Sequence, residues 1–120
     1  MSVGIVGGSV SPSTALTLNA QTGTTYTFVL TDANNTLVTA SNASAQTYTI
    51  PPNSSVAYPI GSQINIIQIG AGQVSFAQGS GVTIASNGAT STAPKLHVQY
   101  SSASAIKVNT DSWYVVGDIA

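Results

Sequence analysis

Residues 63–77 read Q-I-N-I-I-Q-I-G-A-G-Q-V-S-F-A. Isoleucines at 64, 66, 67 and 69 put apolar groups on both faces of any strand formed here. A run of that kind belongs in the middle of a β structure rather than at its rim. Gly70-Ala71-Gly72 interrupts it, and Val74 and Phe76 resume a period of two. The spacing predicts a central hairpin with a loop of about 3–4 residues, its glycines supplying the positive φ of a tight reversal. No side chain in the stretch is ionisable, so it reads as scaffold rather than catalyst.

Outward from this centre the same alternation recurs. Residues 24–31, T-T-Y-T-F-V-L-T, set Tyr26, Phe28 and Leu30 on one face and threonines largely on the other, a half-buried strand. Asp32-Ala33-Asn34-Asn35 is a turn, since Asp and Asn bond their own backbone and tolerate the left-handed region. A return strand starts at 37–39, and 46–50 alternates through Tyr48 and Ile50. Pro51 and Pro52 stop pairing, because proline cannot donate to a ladder, and 56–60 is a short extended piece that Pro59 confines to an edge or a crossover. Further strands are expected at 82–84, at 95–100 through Leu96, Val98 and Tyr100, at 106–108 and at 113–116.

About nine short strands at roughly 8–12-residue spacing, with no helical period, predict an all-β domain, an antiparallel β-sandwich or jelly-roll-like barrel. Weak glycine–valine echoes recur without a strict repeat. Residues 1–22 are rich in Gly, Ser and Thr and read as a flexible, extended N-terminal arm, with 23–120 as a single β domain. Within the arm, Val3, Ile5, Val6 and Val10 are candidates to add a strand to a neighbour's sheet edge.

Charge is the outlying property. A typical soluble domain is about a quarter charged, whereas this chain of 120 residues is 4% charged and 42% hydrophobic. Its charges are Lys95, Lys107, Asp32, Asp111 and Asp118, and polarity comes instead from Ser, Thr, Asn and Gln. Two scattered lysines cannot form the cationic cluster that phosphate binding requires, so nucleic acid is not an expected partner. Cysteine is absent, which removes disulfides, thiolate nucleophiles and Cys-based metal sites together. The first eight residues lack the basic start and apolar core of a secretory signal, and no apolar run approaches the roughly 20 residues of a membrane span. The expectation is a product made in a cytoplasm, with no membrane partner. With few lysines to blunt its sheet edges, the domain either closes its barrel or hides the edges against neighbouring copies, which favours a symmetric oligomer.

Little in the chain points to catalysis. His97 is the only histidine and falls between Leu96 and Val98, on the face opposite the core. Ser and Asp are present for a Ser-His-Asp arrangement, but no G-x-S-x-G elbow exposes a serine. A metal on His97 would need symmetry mates to complete its ligands. Gly70-x-Gly72 lacks the third glycine and the helix of a dinucleotide site. Asn34-Asn35-Thr36, Asn42-Ala43-Ser44 and Asn53-Ser54-Ser55 match the glycosylation acceptor pattern and read as turns. Trp113 with Tyr26, Tyr48, Tyr58, Tyr100 and Tyr114 could form a sugar-stacking surface, and Tyr58, Trp113 and Tyr114 are the candidates for that surface or for an oligomer interface. No enzyme, cofactor or metal is expected.

Five strings together resemble a small domain that recurs in structural proteins of tailed bacteriophages, especially those of cyanobacteria and other aquatic bacteria. They are Y-x-F-V-L-x-D at 26–32, A-S-A-Q-T-Y-T-I-P-P-N-S-S at 43–55, Y-P-I-G-S-Q-I at 58–64, Q-I-G-A-G-Q-V at 68–74 and D-x-W-Y-V-V-G-D at 111–118. The resemblance spans about residues 24–119. It implies a virion protein, either a head-decoration (cement) protein or a module ending a tail fibre. A short arm in place of a long fibre shaft favours decoration: a homotrimer bound through the arm to the major capsid protein or another virion protein. The alternative implied is a receptor-binding fibre module that recognises host surface glycans.

Overall fold

The computed structural model describes residues 15–120, which form nine strands and one short 3-10 helix. In chain order the strands are β1 Thr17–Gln21, β2 Thr25–Thr27, β3 Thr36–Ala40, β4 Gln46–Ile50, β5 Gln63–Gln68, β6 Val74–Gln78, β7 Thr83–Ala85, β8 Ser102–Asn109 and β9 Ser112–Gly117. The 3-10 helix, Leu30–Ala33, lies between β2 and β3. No helix among the described residues is long and apolar enough to cross a membrane.

Successive strands alternate between two sheets. Odd-numbered β1, β3 and β5 pair side by side in a six-stranded sheet of order β1-β3-β5-β8-β9-β7; β2, β4 and β6 form a three-stranded sheet. All of these neighbouring pairs, from β1–β3 to β4–β6, are parallel. The chain therefore climbs as a coil, each turn laying one strand in each sheet beside the strand of the turn before. β8 then pairs antiparallel with β5 and β9 antiparallel with β8, closing the stack, and β7 runs parallel to β9 at the far edge. The expected all-β composition is present, and the inward rows of both sheets share one core. Antiparallel pairing between strands, however, is confined to β5–β8 and β8–β9 among the described residues, with two isolated antiparallel bridges beside them.

The stretch at 63–77 is accordingly not a hairpin. β5 and β6 lie in different sheets, and Gly70-Ala71-Gly72 is the corner between them. Neither glycine has a positive φ. What requires them is close approach to the corner of the preceding coil. A Cβ on Gly70 would stand 2.4 Å from the Asn42 backbone, and one on Gly72 only 1.8 Å from the Ser44 carbonyl oxygen. Gly72 N–H donates to the Asn42 carbonyl at 2.8 Å, so the corners are stitched as well as stacked. The both-faced isoleucines fit this placement: Ile64 and Ile66 are buried in the core, while Ile67 turns outward in the centre of the larger sheet.

Packing explains the other departures. Part of the expected arm, Thr17–Gln21, is β1 and pairs with β3. The strand expected at 24–31 ends at Thr27; Tyr26 and Phe28 do face the core side, but Leu30 enters the 3-10 helix and is exposed. Residues 56–60 form no edge strand but lie in the crossover from β4 to β5, and 95–100 supplies only isolated bridges, Ser75 to Lys95 and Leu96 to Ile119. There Leu96 is buried while Val98 and Tyr100 are exposed, and Tyr100 takes a left-handed φ of 70°. In β8 the inward face is Ala103, Ala105 and Lys107 rather than Ile106 and Val108. Its neighbours decide this. Ala105 lies between Ile64 and Val115, and Ala103 beside Ile66, so small side chains interleave with large ones across the sheet.

Candidate functional site

The larger of the two sheets, with six strands, turns one face outward. Strand alternation and register place Leu18, Leu37, Asn65, Ser104 and Val116 in one row running from β1 to β9. Beside it run Gln63, Ile106, Tyr114 and Ala85 on one flank and Ala20, Thr39, Ile67 and Ser102 on the other. Leu18 is 66% exposed, Tyr114 53% and Val116 51%. None of these rows carries an ionised side chain. The one charged residue of the sheet, Lys107, points inward and is buried. A shallow depression of about 410 Å³ lies at the β7–β9 end, lined by Ala85, Ser86, Asn87 and residues 114–117. An apolar and hydroxyl-rich face without charge suits contact with another protein surface better than binding of an ionic ligand.

Of the side chains expected at such a surface, Tyr114 is there. Tyr58 and Trp113 are not: both are core residues, 3% and 2% exposed, packed edge to face at 5.2 Å. The Tyr58 hydroxyl is also spent, donating to the Val29 carbonyl at 2.7 Å. Their bulk is what the closing strands need to fill the core, and alternation along β9 then turns Tyr114 outward. Val3, Ile5, Val6 and Val10 lie outside the described residues. Leu18, Leu37, Ile106 and Val116 escaped sequence reading because their parity depends on which neighbours face the core.

His97, Ser101 and Asp118 do come together, but in an order unsuited to nucleophilic catalysis. Asp118 stands in the middle, accepting from the Ser101 hydroxyl at 2.5 Å and facing His97 Nδ1 at 3.3 Å. The serine proton thus points at a carboxylate rather than at an imidazole that could remove it. The Ser101 hydroxyl, and secondarily His97, hold the Asp118 carboxyl below its ordinary range. The cluster ties the 97–101 loop to the segment that follows β9, as His97 N–H also donates to the Asp118 carbonyl at 3.0 Å.

A second polar group closes the open end of the coil. Asp32, 1% exposed, accepts from Asn19 Nδ2 at 2.8 Å, the Tyr26 hydroxyl at 2.7 Å and Val29 N–H at 2.9 Å. Burial, then the bond to Asp32, pushes the Tyr26 phenol up to about 12. A groove of about 540 Å³ runs over this cluster, lined also by Thr17, Leu18, Gln21 and Asn34. Its central carboxylate is saturated by the chain's own donors, so the cluster reads as a structural plug. No group of three or more His, Cys, Asp or Glu side chains stands together among the described residues. A scan against protein-family models finds no match, and a search of curated proteins finds none either.

Proposed function

We propose that the chain is a structural subunit of a phage virion, a capsid decoration protein that docks as a homotrimer on the capsid exterior and reinforces it without catalysing a reaction. The observation that carries this reading is the uncharged outer face of the six-stranded sheet, a broad surface of Leu18, Leu37, Ile67, Ile106, Tyr114 and Val116 set among Ser, Thr, Asn and Gln. Mechanically, the subunits straddle junctions of the shell and bury this face against capsid protein, adding contact area that resists internal pressure. The sequence resemblance supplies the virion context. The fibre-tip alternative, glycan recognition, has less support, because Tyr48, Tyr58 and Trp113 are enclosed in the core, which leaves Tyr100 and Tyr114 as the exposed rings that could stack on sugars.

The test is the number of copies per purified virion, by quantitative mass spectrometry. Hundreds of copies that scale with the capsid lattice are expected. A handful, in multiples of three, would move the protein to a fibre; none would overturn both. Contacts free of charge should persist in high salt, and Val116→Lys should abolish docking while leaving the melting transition intact.

A further inference from the structure

The closing strand β8 carries a lysine where the core would take an aliphatic side chain. Lys107 is 2% exposed, and its Nζ donates to two oxygens, Asn53 Oδ1 at 2.7 Å and the Tyr58 carbonyl at 2.7 Å. Both are neutral. The one carboxylate contact with a basic side chain among the described residues joins Asp118 to His97, so no carboxylate touches this amine directly. An ammonium fixed in a protein interior on neutral acceptors alone is a costly arrangement.

The same contact sets up a reaction. Asn53 Oδ1 is bonded to the amide carbon Cγ, so the Lys107 amine already lies beside an electrophile. Asn53 is held there by its own backbone, whose N–H donates to Asp111 Oδ1 at 2.8 Å. Lys107 is held by register, opposite Trp113 across β8–β9, and Trp113 packs on Tyr58. A buried amine on β8 and a half-buried carboxamide in the β4–β5 connection, each held by its own contacts, meet the proximity requirement for intramolecular acyl transfer.

We propose that Lys107 and Asn53 join spontaneously in an isopeptide bond. Lys107 gives up one proton, and rotation about Cε–Nζ turns the nitrogen lone pair onto Asn53 Cγ. The new N–C bond forms a tetrahedral intermediate. A proton passes from Nζ to Nδ2, the Cγ–Nδ2 bond breaks, and ammonia leaves and takes up the proton first released. In balance, a lysine ammonium and an asparagine carboxamide become a secondary amide and a free ammonium ion, with no redox change. Asp111 is a positioning residue. The link replaces a buried charge by a neutral amide and locks the β4–β5 connection to β8, bridging 54 residues of chain that holds no cysteine. It stands independently of the virion reading.

Trypsin decides the matter, because Lys95 and Lys107 are its only sites in the chain. Denatured and unlinked, the full-length protein falls into three peptides. Linked, it is cut at Lys95 alone and both pieces remain joined, with a total mass lower by one ammonia and fragment ions that place the bond at Asn53 and Lys107. Asn53→Ala, which leaves the lysine in place, should restore three peptides and lower Tm. Asp111→Ala should slow linkage during refolding, and Asp111→Asn, which keeps an acceptor oxygen, should recover it. Three peptides from the folded, aged wild-type chain would overturn the proposal. So would an ammonia loss confined to Asn53-Ser54, which is succinimide formation without the lysine.

Discussion

The two tyrosines of the T-Y-T triplets occupy matching places in successive coils, Tyr26 opposite Tyr48 in the register of β2 and β4, with rings 5.5 Å apart. Their hydroxyls have opposite fates. That of Tyr26 reaches the buried Asp32 carboxylate, whereas that of Tyr48, in a side chain with no exposure, has no hydrogen-bond partner among the described residues. Leaving a hydroxyl buried and unpaired costs roughly 1–3 kcal/mol, and a bond to a charged acceptor contributes about 1.5–3 kcal/mol. Tyr48→Phe should therefore stabilise the fold by about 1 kcal/mol, and Tyr26→Phe should destabilise it by about 2 kcal/mol, as read by urea denaturation. Equal effects of the two substitutions would contradict the assigned contacts. The same groups set the alkaline limit. Burial pushes Tyr48 up to about 12; burial with the Asp32 bond does the same for Tyr26; and burial, followed by the Asp32 charge, pushes Tyr58 further up. Unfolded tyrosines ionise near 10. Above about pH 10 the folded chain thus holds protons that the unfolded chain has lost, and stability falls with rising pH. The contribution is complete below about pH 10 and is lost as pH rises through about 12. Melting followed at about pH 9 and about pH 11 should show this drop; a constant Tm would place the phenols in water.

At the scale of elements, what the sequence made legible was the strands with the simplest alternation, and what it hid was which strands are neighbours. β3, β4, β6 and β9 follow their period of two because each buries one face in the shared core. Topology escaped because a period of two says nothing of whether the next strand returns beside the last or crosses to another sheet. The coil does leave a trace: T-L followed by T-Y-T occurs at 17–27 and again at 36–49. Its offset drifts, from 19 residues between β1 and β3 to 22 between β2 and β4 and 28 on the next turn, so no fixed period emerges. Gly70 and Gly72 show the same limit. Read locally they are turn residues; in the fold their lack of a side chain admits the preceding corner. Gly72→Ala should therefore cost about 3 kcal/mol, at the upper end of overpacking effects, since its Cβ meets backbone that cannot swing aside. Gly23, whose added Cβ would find its nearest atom at 3.7 Å and whose φ is not positive, is the control. Gly23→Ala should stay within about 0.5 kcal/mol of wild type. Tolerance of Gly72→Ala in a thermal melt would mean that the corners do not stack.

For the whole molecule, a coil stack is nearly one-dimensional: each turn is stabilised chiefly by the turns next to it. The two ends of this stack are unlike. At one, β5 is followed by β8 and β9, whose Trp113 and Val115 complete the core. At the other, β1 and β2 are edge strands of their sheets among the described residues, and β1 has no fully buried residue. Asp32, Asn19 and Tyr26 close the core there with hydrogen bonds rather than apolar bulk. Local opening should follow this gradient, since openings are easiest where few apolar contacts are lost. In hydrogen exchange on the free protein, amides of β1 and β2 should exchange first and those of β5, flanked on both sides by β3 and β8, last. Asp32→Ala should steepen the gradient, speeding exchange in β1 and β2 while leaving β5 nearly unchanged, because its partners all sit at that end. Protection of β1 equal to that of β5 in the free chain would mean that a further element covers the open edge. Protection of β1 that rises only after docking on capsids would instead put that edge, together with Leu18 beside it, inside the contact with the shell.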